Sequence, residues 1–139
     1  MKHLPILFAA VLLAGCVLRP APVVDASAIS RPAANVPARQ AAFSGIWFGT
    51  WLPALDSNIA IETVAADGRI TGTYAWGDHP EGRFVRGSAP VTGRIEGNRL
   101  TLAPFENGAV VSYVMRADGA LDGEFNINGN ISRGEFRKK

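Results

Sequence analysis

The sequence predicts an all-β fold: a small eight-stranded antiparallel up-and-down meander barrel over residues 43–139. Three observations predict it. Eight short runs alternate apolar and polar residues, the period of a half-buried strand. Turn pairs separate many of the runs: Asp67-Gly68, Gly97-Asn98, Asn107-Gly108, Asp118-Gly119 and Asn128-Gly129. Such pairs supply the positive φ angles of tight hairpins. Glycines also punctuate the apolar face, as a curved wall needs. Closing an eight-strand meander removes both of its free edges.

Residues 1–15 read as a signal peptide. Lys2 and His3 form a polar start, Leu4 to Leu13 is apolar apart from Pro5, and Ala14 and Gly15 are small. That order marks export. The run is about half the ~20 residues of a membrane-spanning helix. Leu13-Ala14-Gly15-Cys16 resembles the bacterial lipobox. The resemblance implies cleavage before Cys16, a diacylglycerol thioether on its sulfur and an acyl chain, such as palmitate, on its amine. Cys16 is the only cysteine in the chain, so no intrachain disulfide can form. Val17 rather than Asp follows it, which by the same resemblance implies an outer-membrane lipoprotein facing the periplasm. The membrane is then a partner through the lipid anchor.

Residues 16–42 carry the lipidated Cys and an Ala/Pro-rich linker. Twelve of the 26 residues from 17 to 42 are Ala or Pro. The prolines break every apolar period, which predicts an extended, mostly unstructured tether, a disordered spacer.

The domain follows, with 14 of the 15 glycines. Its strands are expected at 43–51, 58–64, 69–76, 91–96, 99–105, 109–116, 120–127 and 131–137. Ile70, Gly72, Tyr74 and Trp76 share one face, as do Val91, Gly93 and Ile95, and Leu121, Gly123, Phe125 and Ile127. Ile46 and Phe48 fall on the outer face of the first strand, where they suggest a dimer or partner surface. The longest connection, 77–90, is expected as a lid or contact loop.

The domain carries ten Lys and Arg against eleven Asp and Glu. The basic pI near 9.0 therefore comes from the leader and linker. With no basic stripe, nucleic acid is excluded as a partner.

Within the first three strands, Gly49-Thr50-Trp51, Leu55, Ser57, Asp67-Gly68 and Thr71-Gly72-Thr73-Tyr74 resemble the avidin and streptavidin family. The likeness covers about thirty residues of the domain. It implies a closed meander, with Ser57 and Tyr74 at the positions that hydrogen-bond the ureido oxygen of biotin. Pro53 replaces the family's ligand-binding Asn, Trp76 replaces a hydroxyl residue, and no Trp follows Trp76. The resemblance therefore implies the fold rather than biotin binding. Gly45-Ile46-Trp47 also resembles the opening of lipocalins, and Trp-containing first strands occur in small periplasmic metalloprotease inhibitors.

Catalytic chemistry finds little footing. Asp78, His79 and Glu81 share a loop, but after cleavage no second His remains to make a pair of metal imidazoles. There is no nucleophile elbow or phosphate loop. A non-enzymatic protein without metal or cofactor is expected. Trp51, Ser57, Tyr74, Trp76 and Tyr113 fall where a barrel interior would hold a small apolar ligand, or where the aromatics would simply fill the core. Two readings remain: a membrane-anchored barrel binding a small apolar ligand, or an envelope protein-interaction module, such as an inhibitor or assembly accessory.

Overall fold

The computed structural model describes Gly15 and residues 17–139. The signal peptide and lipidated Cys16 expected from the sequence lie outside the described residues.

The fold is a closed antiparallel barrel of eight strands in sequential order. They are β1 (Gly45–Trp51), β2 (Leu55–Val64), β3 (Arg69–Trp76), β4 (Gly87–Glu96), β5 (Arg99–Leu102), β6 (Val110–Met115), β7 (Leu121–Ile127) and β8 (Asn130–Lys138). The ring closes where β1 pairs with β8, from Trp47 opposite Lys138 to Trp51 opposite Gly134. The glycines of the hairpin turns take the expected positive φ, for example +88° at Gly68 and +84° at Gly119.

The up-and-down order gives the barrel two unlike ends. The turns after β2, β4 and β6 lie at one end, here the base, together with the start of β1 and the end of β8. The connections after β1, β3, β5 and β7 lie at the other end, the mouth. Between them the interior is packed: Trp47, Ile59, Ile61, Leu100, Val111, Tyr113, Leu121 and Phe136 are all buried. An eight-strand barrel has room for little more than its own side chains.

Several strand bounds differ from expectation: β2 starts three residues earlier, at Leu55, β5 ends three earlier, at Leu102, and the starts of β1 and β4 move for local reasons. The first strand starts at Gly45 because Phe43 turns inward instead and plugs the base, with no exposed surface. The Trp47 indole N–H donates to the Phe43 carbonyl at 2.9 Å and fixes the plug. β4 begins at Gly87, so the mouth loop is shorter than 77–90 and runs over 77–86. Pro90 is tolerated inside β4 because β5 reaches only Gly93 on that side. The missing N–H therefore costs no ladder bond.

The stretch 17–42 differs from the free spacer its composition suggests. It is a strap laid along the outer wall from mouth to base. At the mouth, the Asp78 N–H donates to the Arg19 carbonyl at 2.9 Å. Further down, the Ala21 N–H donates to Asp56 at 2.7 Å, and Asn58 donates to the Pro22 carbonyl at 3.3 Å. The Ser30 N–H reaches the Glu62 carbonyl at 2.8 Å. A 3-10 turn, Ala26–Ala28, is capped by Asp25, and a short helix α1 (Ala38–Ala41) leads into Phe43 at the base. Ala21 and Val24 pack on Ala60 and Ala75 of the wall, with Ile29 and Ile46 beside them. Small residues on both surfaces let the two backbones approach closely enough for these bonds.

The strap also answers the outer face of β1. Ile46 does point outward, but this chain's own strap covers it. Phe48 lies under the ammonium of Lys139, 4.6 Å from its ring centre. Both side chains are half-buried by these contacts.

Candidate functional site

The interior is packed with buried side chains and opens at the mouth. There, the ends of β2, β3 and β7 and the loops after β3 and β5 form a cup of about 310 Å³. Leu55, Tyr74, Trp76, Phe84, Phe105 and Phe125 make its apolar wall, with Asn107 as a polar group and Ala109 between them. The volume lies at the small end of ligand pockets, ~300–1,000 Å³, and the mixture of apolar wall and sparse polar atoms is typical of them.

Alternation explains the wall. Leu55, Tyr74, Trp76 and Phe125 are inward positions at the mouth ends of their strands. Tyr74 and Trp76 stack with centroids 6.1 Å apart, and Phe105 tilts onto Tyr74 at 5.2 Å. Trp76 is positioned by two features. Its indole N–H donates to the Val85 carbonyl at 3.0 Å. Gly87 leaves the space it needs, since a Cβ there would come within 2.7 Å of the ring.

Of the five residues singled out in the sequence, Tyr74 and Trp76 line the cup. Trp51, Ser57 and Tyr113 are buried and do not line it. The Trp51 N–H donates to the Tyr74 hydroxyl at 2.8 Å, and the Ser57 hydroxyl donates to the Ala75 carbonyl at 2.9 Å. These bonds engage the side-chain polar atoms of Trp51, Tyr74 and Ser57. Burial raises the Tyr74 pKa, partly offset by the neighbouring polar atoms of Ser57 and Trp51. Burial raises that of Tyr113 much further, and its hydroxyl has no hydrogen-bond partner. Both phenols therefore stay neutral and act as packing groups.

The sequence reading missed Leu55, Phe105, Asn107, Ala109 and Phe125 as cup residues and placed Phe84 only on a contact loop. Their shared signal is position: each stands at the mouth end of an inward-facing series or in a mouth connection.

The mouth loop is stitched internally. The Asp78 carboxylate accepts from the Arg19 backbone and guanidinium at 2.9–3.1 Å and from the Arg86 N–H at 2.8 Å. The Arg19 guanidinium, reinforced by the Arg86 and Arg19 backbone N–H groups, holds its carboxyl well below the usual carboxylate range. His79 Nδ1 accepts from the Glu81 N–H at 3.0 Å, and its ring meets Phe84 edge-on. Glu81 pairs with Arg83 at 2.6 Å. Asp78, His79 and Glu81 thus shape the loop that carries Phe84 rather than converging on one point. Among the described residues, no group of three or more His, Cys, Asp or Glu is placed to hold a metal ion.

A broader hollow of about 710 Å³ lies on the outer wall. It is edged by Arg99, Asp122, Glu124, Arg133 and Glu135, where Arg133 faces Glu124 at 3.8 Å. The cup is the better site, since its lining is mostly apolar and carries positioned aromatics.

Compared with known proteins, the chain matches no family model and no curated sequence.

Proposed function

We propose that this chain is an envelope lipoprotein, anchored through Cys16, whose barrel binds a small apolar or amphipathic ligand in the mouth cup without catalysing a reaction. The observation that carries the ligand reading is the cup itself: a hollow of about 310 Å³ above an otherwise filled interior. Aromatic faces favour a flat or chain-like apolar group, and Asn107 offers one polar contact at the opening. The anchor reading rests on the lipobox-like Leu13-Ala14-Gly15-Cys16.

Two measurements test the two halves. Radiolabelled palmitate should enter the wild-type protein and not Cys16→Ala; labelling of neither, in a lipoprotein-processing host, removes the anchor. For the cup, a fluorescent fatty-acid analogue is titrated into the full chain. Saturable binding is expected, weakened about tenfold by Trp76→Ala, which strips one face of the cup. Binding that never saturates, or that Trp76→Ala leaves unchanged, removes the ligand reading and favours the interaction module.

A further inference from the structure

The exposed apolar side chains gather at one end of the barrel. Of the eight large hydrophobic residues exposed among those described, seven lie at the mouth, and Val23 on the strap is the exception. Leu52, in the turn after β1, is 64% exposed, and Val85, on the mouth loop beside Phe84, is 68% exposed. Val110 and Ile131 open β6 and β8 and face outward on either side of Asn126. Val17 and Leu18 directly precede Arg19, which is clamped to the same loop. Together they ring the opening of the cup.

The base is the reverse. Its surface carries Arg116, Asp118, Asp122, Glu135 and Arg137 in one ion-paired network, with Arg69 on Asp67 beside it. Ion pairs stand at the mouth too, Arg19 with Asp78 and Glu81 with Arg83, so the ends differ in where the large exposed hydrophobic residues gather. An exposed apolar patch of this kind marks a docking surface.

The path of the chain says what docks there. The strap reaches the mouth and is held there by the Arg19–Asp78 clamp. Position 16 lies three residues beyond Arg19, so within roughly 11 Å of it. A lipid on Cys16 would enter the bilayer beside the apolar ring.

We propose that the mouth ring is a membrane-docking surface. The barrel sits mouth-down on the bilayer, with Leu52, Phe84, Val85 and Ile131 in the boundary between headgroups and acyl chains and the charged base turned away. Interfacial segments of proteins bury their apolar face to about 5–10 Å in that layer. The lipid and the ring are two anchoring signals on one face, and the cup opens onto the membrane. The position rests on the anchor reading, while the orientation rests on the ring.

The test uses the full-length protein in vesicles of phosphatidylethanolamine and phosphatidylglycerol, some with brominated acyl chains that quench nearby indoles. One variant carries Val85→Trp at the mouth and another Ala117→Trp at the base. The bromolipids should quench the added signal of Val85→Trp and leave that of Ala117→Trp untouched. Equal quenching of both, or of neither, overturns the orientation. A second arm uses unlipidated Cys16→Ser protein, with and without Leu52→Ser, Val85→Ser and Ile131→Ser together. These exposed changes should lower vesicle binding by about tenfold or more. Vesicle binding that is absent in both, or equal in both, overturns the ring as a membrane surface. A concentration-dependent dimer that the three changes abolish, with no vesicle binding, makes a second copy of the chain the occupant and overturns it too. Loss of palmitate labelling alone would remove the anchor, while vesicle binding by the unlipidated protein would still decide the role of the ring.

Discussion

Trp51 sits where the barrel wall leaves no space to spare. A Cβ on Gly123 would come within 2.7 Å of its ring, and Phe136 packs on it at 4.9 Å between centroids. Its indole N–H has one partner, the Tyr74 hydroxyl. The two interior tyrosines therefore make opposite predictions. Tyr74→Phe leaves a buried donor unpaired and should cost about 1–3 kcal/mol in denaturant unfolding. Tyr113→Phe removes a buried hydroxyl that has no partner and should leave stability unchanged or raise it. Equal losses in both variants would mean that the Tyr113 hydroxyl has a partner of its own. Ser57 and Tyr74 matched a ligand-contacting pattern in the sequence, yet Ser57 spends its hydroxyl on the Ala75 carbonyl and does not line the cup. Residue type was legible there, but the height of each residue along the barrel was not.

At the scale of elements, the strap is the part that sequence reading described least well. Strand alternation is a local signal, so residues 69–76 gave the bounds of β3 directly. The strap has no period to read. Its order comes from single bonds to distant partners, such as Ala21 to Asp56, 35 positions away, and Arg19 to Asp78, 59 positions away. The Asp78 tie has a pH dependence with a definite sign. Its folded pKa is depressed below the unfolded value near 3.9. The tie is therefore complete above about pH 4, weakens as pH falls below it, and is lost only past the lower folded pKa. The Arg86 amide resonance, which reports the carboxylate through its hydrogen bond, should stay unchanged through the ordinary carboxylate range and shift only at more acid pH. In Asp78→Ala, amide exchange should quicken over 17–24 and at Arg86 while the strands keep their protection. Uniform loosening of the barrel would show that the strap is part of the global fold instead.

For the whole molecule, the two ends divide stability from function. The base is sealed by Phe43 over Trp47, with Lys138 lying 4.8 Å above the Trp47 ring and its ammonium on the Ala42 carbonyl at 2.9 Å. The mouth is open and aromatic. A closed barrel transmits damage at the seal to every strand, because each pairs with two neighbours and none is an edge. Phe43→Ala leaves a cavity at the foot of the packed interior, a change that costs about 3–5 kcal/mol. In a domain of this size that lowers Tm by more than about 10 °C. Melting should remain a single transition, with far-UV circular dichroism and tryptophan fluorescence superimposing. At temperatures where the variant is still folded, titration of the cup should match the wild type, since Phe43 lies at the far end of the barrel from Tyr74 and Trp76. Weakened binding in a fully folded Phe43→Ala protein would mean that the filled core couples the two ends, and that the cup is not an independent site built on a rigid base.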